Sequence, residues 1–475
     1  MRSLSKPFWV VWAIELWERF GYYGVQAIFA RYFVLKLGYS EHHSTLVFGS
    51  FAAFVYGFIW IGGWLGDSFL GAKRTLLLGA TILMLSYAGL ALSNQYTVFY
   101  ALAGIIVGNA LFKANPSSLI SKLYNQGDTA LDAAMTLYYM AINIGAMISL
   151  AMTPVVAHTW GWSYAFMLSA IGLLIGIASY LFFQRFLYNV NTPAGKHPLK
   201  IWRLAVVILG SLVAIGVIAQ LLEHTLVCSL IVYTVVSLAF LYFIYTALQL
   251  DAYECKRMLV AFVLILQGVL FFVLYNQMPT SMTFFAAHNV NNVVWGWHIP
   301  PSEYQVLNSI FIVILSPLLA WGYHAVRSTH VTKFCLGMTL CALSFILLGI
   351  PQFFVHHGLI SPIWMIVVYF FQSAGELLIS GLGLAMVAEL CPPQMSGYVM
   401  GVWWLTSMLA GPLGAWIGGM AVPDRGDLKA FSTMQSLHVF GDVFLGLGIA
   451  TACIALIMWL VRPYLNKLLA GSAVQ

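Results

Sequence analysis

The chain has 475 residues, 61% hydrophobic and only 8% charged, with a mean hydropathy of +0.89, whereas soluble domains carry about a quarter charged residues; a water-soluble globule is excluded. The net charge of +6 sits in short clusters between apolar runs rather than along one face, which argues against nucleic-acid binding and for a membrane topology signal. Six cysteines fall inside or beside apolar segments and form no C-x-x-C pair, so no disulfide framework or zinc site is expected.

Fourteen apolar segments are predicted, each near the ~20 residues that cross the hydrocarbon. They lie near 7 to 37, 43 to 68, 74 to 92, 96 to 122, 131 to 158, 162 to 184, 202 to 222, 226 to 248, 257 to 287, 301 to 326, 332 to 353, 360 to 390, 396 to 421 and 436 to 461. The first is far longer than a signal-peptide core and lacks a small-residue cleavage site, so it is expected to stay. It carries Glu15, Glu18, Arg19, Tyr22 and Gln26 at steps of three or four, which puts them on one helical stripe. Charge at mid-bilayer costs at least ~2.5 kcal/mol, so this stripe must face protein or water. A static ion pair would satisfy it. Two carboxylates against one arginine also leave an excess negative charge that a proton can neutralise.

Further along, Lys113 is expected about nine residues, roughly 14 Å, from the cytoplasmic end of the fourth helix, deep enough that snorkelling is the competing reading. The stretch 185 to 203 contains Pro193, Gly195 and Pro198 and reads as a linker. The two helices after it carry almost no polar residues and read as a lipid-facing hairpin. This divides the chain into a six-helix bundle at 1–187, linker and hairpin at 188–255, and a second six-helix bundle at 256–475, an all-α polytopic membrane architecture. In the second half Glu376 lies midway along its helix, where a lone carboxylate suits a substrate amine. All twelve histidines fall near loops or helix ends, so no metal is expected. Fifteen lysines and arginines, from Arg2 to Lys467, fall on the side assigned to the cytoplasm, against Lys36, Arg425 and Lys429 outside, so both termini are expected on the cytoplasmic side.

Glu15-Leu16-Trp17-Glu18-Arg19-Phe20-Gly21-Tyr22-Tyr23-Gly24 resembles the E-x-x-E-R-F-x-Y-Y-G signature of the proton-dependent oligopeptide transporters. Phe112-Lys113-Ala114-Asn115-Pro116 and Tyr138-Tyr139-Met140-Ala141-Ile142-Asn143-Ile144-Gly145 extend the resemblance, and Gly63-Trp64-Leu65-Gly66-Asp67 with Gly71, Lys73 and Arg74 looks like the loop motif of the wider major facilitator superfamily. Asn308, Gly375-Glu376-Leu377 and Met400-Gly401-Val402-Trp403 carry it through the second half. The resemblance implies import of di- and tripeptides by alternating access, with Glu15, Glu18, Arg19 and Lys113 coupling protons to transport. It assigns Glu376, Asn143 and Asn308 to the peptide amino end and Arg19 and Lys113 to its carboxylate. Tyr22, Tyr23, Tyr56, Tyr139 and Trp403 would line the pocket, with Gln26 and Asn276 beside it. Protons are the only coupling species expected; no cofactor, nucleic acid or obligatory partner subunit is implied, and the chain is expected to work as a monomer in the bilayer.

Three departures stand out. Gln26 and Asn276 occupy positions where many members carry Arg and Glu, so an outer charge pair becomes amide chemistry. Gly49 stands where animal members place a histidine, which leaves proton coupling to carboxylates. Tyr138 and Ala146 replace Phe and Ser. The competing functions are a drug or organic-ion antiporter of the same superfamily, which would not need the stripe, Lys113 and Glu376 together, and an intramembrane enzyme, for which no catalytic motif lies in any predicted span.

Overall fold

A computed structural model describes residues 5–124, 129–325, 328–392, 395–421 and 432–470. Arg2, Arg327, Arg425 and Lys429, all used in the orientation argument, lie outside them. The helices are α1 (Lys6–Leu35), α2 (Glu41–Gly57), α3 (Ile59–Trp64), α4 (Ala72–Ala91), α5 (Val98–Phe112), α6 (Asn115–Ser121), α7 (Thr129–Thr159), α8 (Trp162–Phe183) and α9 (Ile201–Glu223). They continue as α10 (Thr225–Leu248), α11 (Ala252–Tyr275), α12 (Ser281–Asn289), α13 (Val306–Ala325), α14 (His330–Gly349), α15 (Ile363–Leu390), α16 (Ser396–Met420) and α17 (Thr433–Ala470). A two-residue hairpin pairs Val293–Val294 with Trp297–His298. Among the described residues twelve helical spans are long and apolar enough to cross a membrane. The first and thirteenth expected segments are not among them: α1 carries Lys6, Glu15, Glu18, Arg19 and Arg31, and α16 is rich in glycine and tryptophan.

The chain gathers into two compact units, Met1–Gly38 with Phe54–Thr225, and Tyr39–Ala53 with Leu226–Gln475. In the first, α1 opens with Pro7, whose missing N–H costs nothing in the first turn. It then packs against α7 and α8 through glycine. A Cβ on Gly145 would come within 2.4 Å of the Leu16 carbonyl oxygen, and one on Gly24 within 2.6 Å of Ser149 Oγ. The Ser149 hydroxyl donates to the Phe20 carbonyl across this contact. Gly172 and Gly176 of α8 make room for Trp17 and Phe20. Gly145 is thus where the backbones of α7 and α1 touch, while Gly24 makes room for the Ser149, Thr153 and Ser169 hydroxyls, and together they fix the register of the stripe.

The predicted linker is folded against the turn between α3 and α4. Thr192 Oγ1 donates to the Gly66 carbonyl at 2.7 Å and accepts from the Ala72 N–H at 3.1 Å. Gly71, at φ 98, makes the turn possible and lies against Gly195. The next helix, α9, packs on α5 near Gly104 and exposes Leu209, Leu212, Val213 and Val217. That apolar outer face matches the lipid-facing reading.

In the second unit glycines again set the crossings. Gly49 of α2 and Gly411 of α16 are reciprocal, each leaving under 3 Å between a would-be Cβ and the other's carbonyl oxygen. Gly337 and Gly375 bring α14 and α15 together in the same way, a would-be Cβ lying 3.1 Å from the Gly375 carbonyl oxygen in one direction and 2.8 Å from that of Gly337 in the other. The Gly49 position therefore has no room for an imidazole, which is the physical reason that a histidine is missing there.

Candidate functional site

The stripe on α1 is buried as expected: Glu15 and Glu18 are 0% exposed, and Arg19, Tyr22 and Gln26 are also buried. Arg19 holds Glu18 through two N–H donors, the Nη2 bond at 2.6 Å, and its Nη2 also donates to Asn109 Oδ1 at 3.1 Å. Asn109 lies one turn before Lys113 on the same element and is itself anchored through Nδ2 to the Val55 carbonyl. The guanidinium stands over the Tyr22 ring at 4.9 Å.

Lys113 does not snorkel. Its Nζ donates to Glu15 Oε1 at 3.1 Å, and that same oxygen lies 3.7 Å from Arg19 Nε. The expected excess of negative charge is therefore corrected: two carboxylates meet two cations, and the quartet is balanced when all four are ionised. Tyr138 of α7 is buried beside Glu15, and Tyr87 of α4 packs its ring against Gly21. Protonating either acid removes half of an ion pair and leaves a cation with donors to spare. Asn109 and Tyr87 were missed by the sequence reading. The four-residue step from Asn109 to Lys113 is the pattern that marks one face.

Tyr23 meets Tyr22 edge to face, their centroids 5.5 Å apart. Tyr56 is half-buried, and Tyr139 is 45% exposed. Asn143, also half-buried, donates from Nδ2 to the Tyr139 carbonyl one turn back.

The second unit holds a separate cluster. Asn308 of α13 donates through Nδ2 to Glu376 Oε2 at 2.7 Å and lies 3.0 Å from Ser373 Oγ. Ser373, one turn before Glu376 on α15, was not singled out from the sequence. Glu376 as a residue is only half-buried, and its carboxylate is oriented by the Asn308 amide. Trp403, expected in a pocket wall, is 2% exposed and packs in the interior between Gly268 and Gly383, with Phe272 and Phe334 at its edges. Asn276 ends α11, and its carbonyl accepts from Thr280 Oγ1 at 2.6 Å. The neighbouring Gln277 makes the buried amide bonds, to the Val273 and Gly414 carbonyls and from Ser281. Among the described residues no three His, Cys, Asp or Glu side chains gather to hold a metal.

Comparison with known proteins gives the family. Residues 73–432 match the profile described as the POT family. The chain is 43% identical to dipeptide and tripeptide permease A of Escherichia coli K12, covering 98% of this chain and 94% of that one. It is 41% identical to dipeptide and tripeptide permease B of Aeromonas hydrophila, again over 98% and 94%. Among solved structures, a tetrameric crystal form of PepTSo2 superposes with a TM-score of 0.87 at 35% identity, covering 98% of this chain and all of that one. A peptide transporter POT in complex with sulfate superposes with a TM-score of 0.85 at 25% identity, covering 98% of this chain and 96% of the other. With the match spanning most of its length, the chain belongs to the POT family.

Proposed function

We propose that this chain is a proton-coupled symporter that imports di- and tripeptides by alternating access. The observation that carries the reading is the balanced quartet of Glu15, Glu18, Arg19 and Lys113, because a proton arriving on either acid releases a cation that can take up a peptide carboxylate. Glu376, held by Asn308, suits the peptide ammonium. Asn143 adds an amide for the amino end, while Tyr22, Tyr23, Tyr56 and Tyr139 offer aromatic surface to side chains of many kinds. Gln26 and Asn276 serve as neutral neighbours of the peptide. The permease names of its relatives support the same substrate class.

The architecture that goes with this function is a major facilitator fold of fourteen transmembrane helices: two six-helix bundles at 1–187 and 256–475, with linker and hairpin at 188–255. It resides in the bacterial inner membrane with both termini cytoplasmic, works as a monomer, and uses protons in place of any cofactor. Vesicles containing the purified chain should accumulate labelled dialanine under an inward proton gradient and lose it on adding a protonophore. Uphill uptake that survives the protonophore, or follows sodium, would overturn the reading.

A further inference from the structure

A cavity of about 530 Å³ opens in the first unit between the turn before α4 and the folded linker. Lys73, Arg74, Lys196 and His197 line it, with Asn189 and Asn191, and none of the described lining residues is acidic. Its walls are pinned by the buried Thr192 bridge and by the contact of Gly71 with Gly195. The two deeper cations are held in place by neutral carbonyls. Lys73 Nζ donates to the Leu187 carbonyl at 2.9 Å, and Arg74 donates to the Leu70 and His197 carbonyls. These bonds orient the groups without neutralising them, and both keep spare donors: a lysine has three and an arginine five. Preorganised cations with unused donors are the arrangement that captures a phosphate group.

We propose that this cavity binds a phosphate ester, and that the headgroup of an anionic phospholipid is its source. The position fits a headgroup, since the cavity adjoins the start of α9, where Leu199, Ile201 and Trp202 are exposed. Trp202 also stands edge to face with Phe69, which stacks on Trp64. Exposed tryptophans and a basic cluster at the end of an apolar span mark interfacial depth. The linker would then fold against the turn more firmly when the lipid is present, and the glycine turn and the linker would unlock together when it is absent.

The test uses the full chain in phosphatidylcholine nanodiscs, read by thermal unfolding. Phosphatidylglycerol added at rising mole fraction should raise the Tm along a saturating curve, as one-site binding requires. Lys73→Gln and Lys196→Gln should each lose most of that shift. Lys256→Gln, which removes a positive charge at the start of α11, should keep it. Inorganic phosphate in pure phosphatidylcholine forms the second arm. A saturating rise there that phosphatidylglycerol does not add to would keep the phosphate chemistry but make the source soluble. Should neither addition shift the Tm, or should Lys256→Gln erase the effect as fully as Lys196→Gln, the cavity is no phosphate site. Lys196 lies in the exposed linker, so its variant remains informative if Lys73→Gln does not fold.

Discussion

Lys113 and Glu15 are 98 residues apart in sequence and meet at 3.1 Å, with the carboxylate fully buried. Removing one partner of a buried pair leaves the other charged and unsolvated, at a cost of about 3–5 kcal/mol. Lys113→Gln should therefore lower the Tm sharply, and adding Glu15→Gln should restore part of the loss. Equal and additive losses in the two single variants would show that the pair does not interact energetically. Glu18→Gln leaves Arg19 its bond to Asn109 and removes a protonatable group, so uphill dialanine uptake should vanish while dipeptide binding persists; concentrative uptake in that variant would take Glu18 out of the coupling. Glu376→Gln keeps an oxygen to accept from Asn308, so the fold should survive while the rise in Tm caused by dialanine shrinks; an unchanged rise would place the amine elsewhere. The acids and Arg19 were legible because charge in an apolar helix needs a reason. The pairing of Lys113 was not, since it depends on how the junction of α5 and α6 lies against α1, and no periodicity within one helix encodes that approach.

Trp403 illustrates the same limit for a whole helix. Its indole fills space left by Gly268 of α11 and Gly383 of α15, and a Cβ on Gly383 would sit 1.9 Å from the ring. From the sequence, a tryptophan in a recognisable motif looks like a pocket wall; the two glycines that receive it lie on other helices. Gly383→Ala should cost about 1–3 kcal/mol through overpacking, and Trp403→Phe in the same chain should recover some of it, as read by thermal unfolding. A Tm unaffected by Gly383→Ala would mean that the ring has room to turn. Twelve of the fourteen expected spans were readable from length and apolar content among the described residues. The apolar elements announced themselves by length, whereas α1 is defined by burial of the polar residues that make it look unsuited to lipid.

For the molecule as a whole, orientation rests on basic residues spread over the loops, and Lys196 reports it directly. With both termini in the cytoplasm, a Lys196→Cys variant in right-side-out vesicles should resist an impermeant maleimide until the membrane is opened. Labelling from outside would reverse the topology. The balanced quartet has a further effect at this scale. Four ionised groups that sum to zero become a net single positive charge when one proton is bound, and a zwitterionic peptide adds nothing to that sum. A carrier loaded with one proton and one peptide would then move one charge through the membrane field, at about 2.3 kcal/mol per 100 mV. An inside-negative potassium diffusion potential of about 100 mV at equal pH should consequently drive dialanine accumulation of up to roughly fortyfold. The resting voltage of the cell becomes a source of work for nutrient uptake even where no pH difference exists.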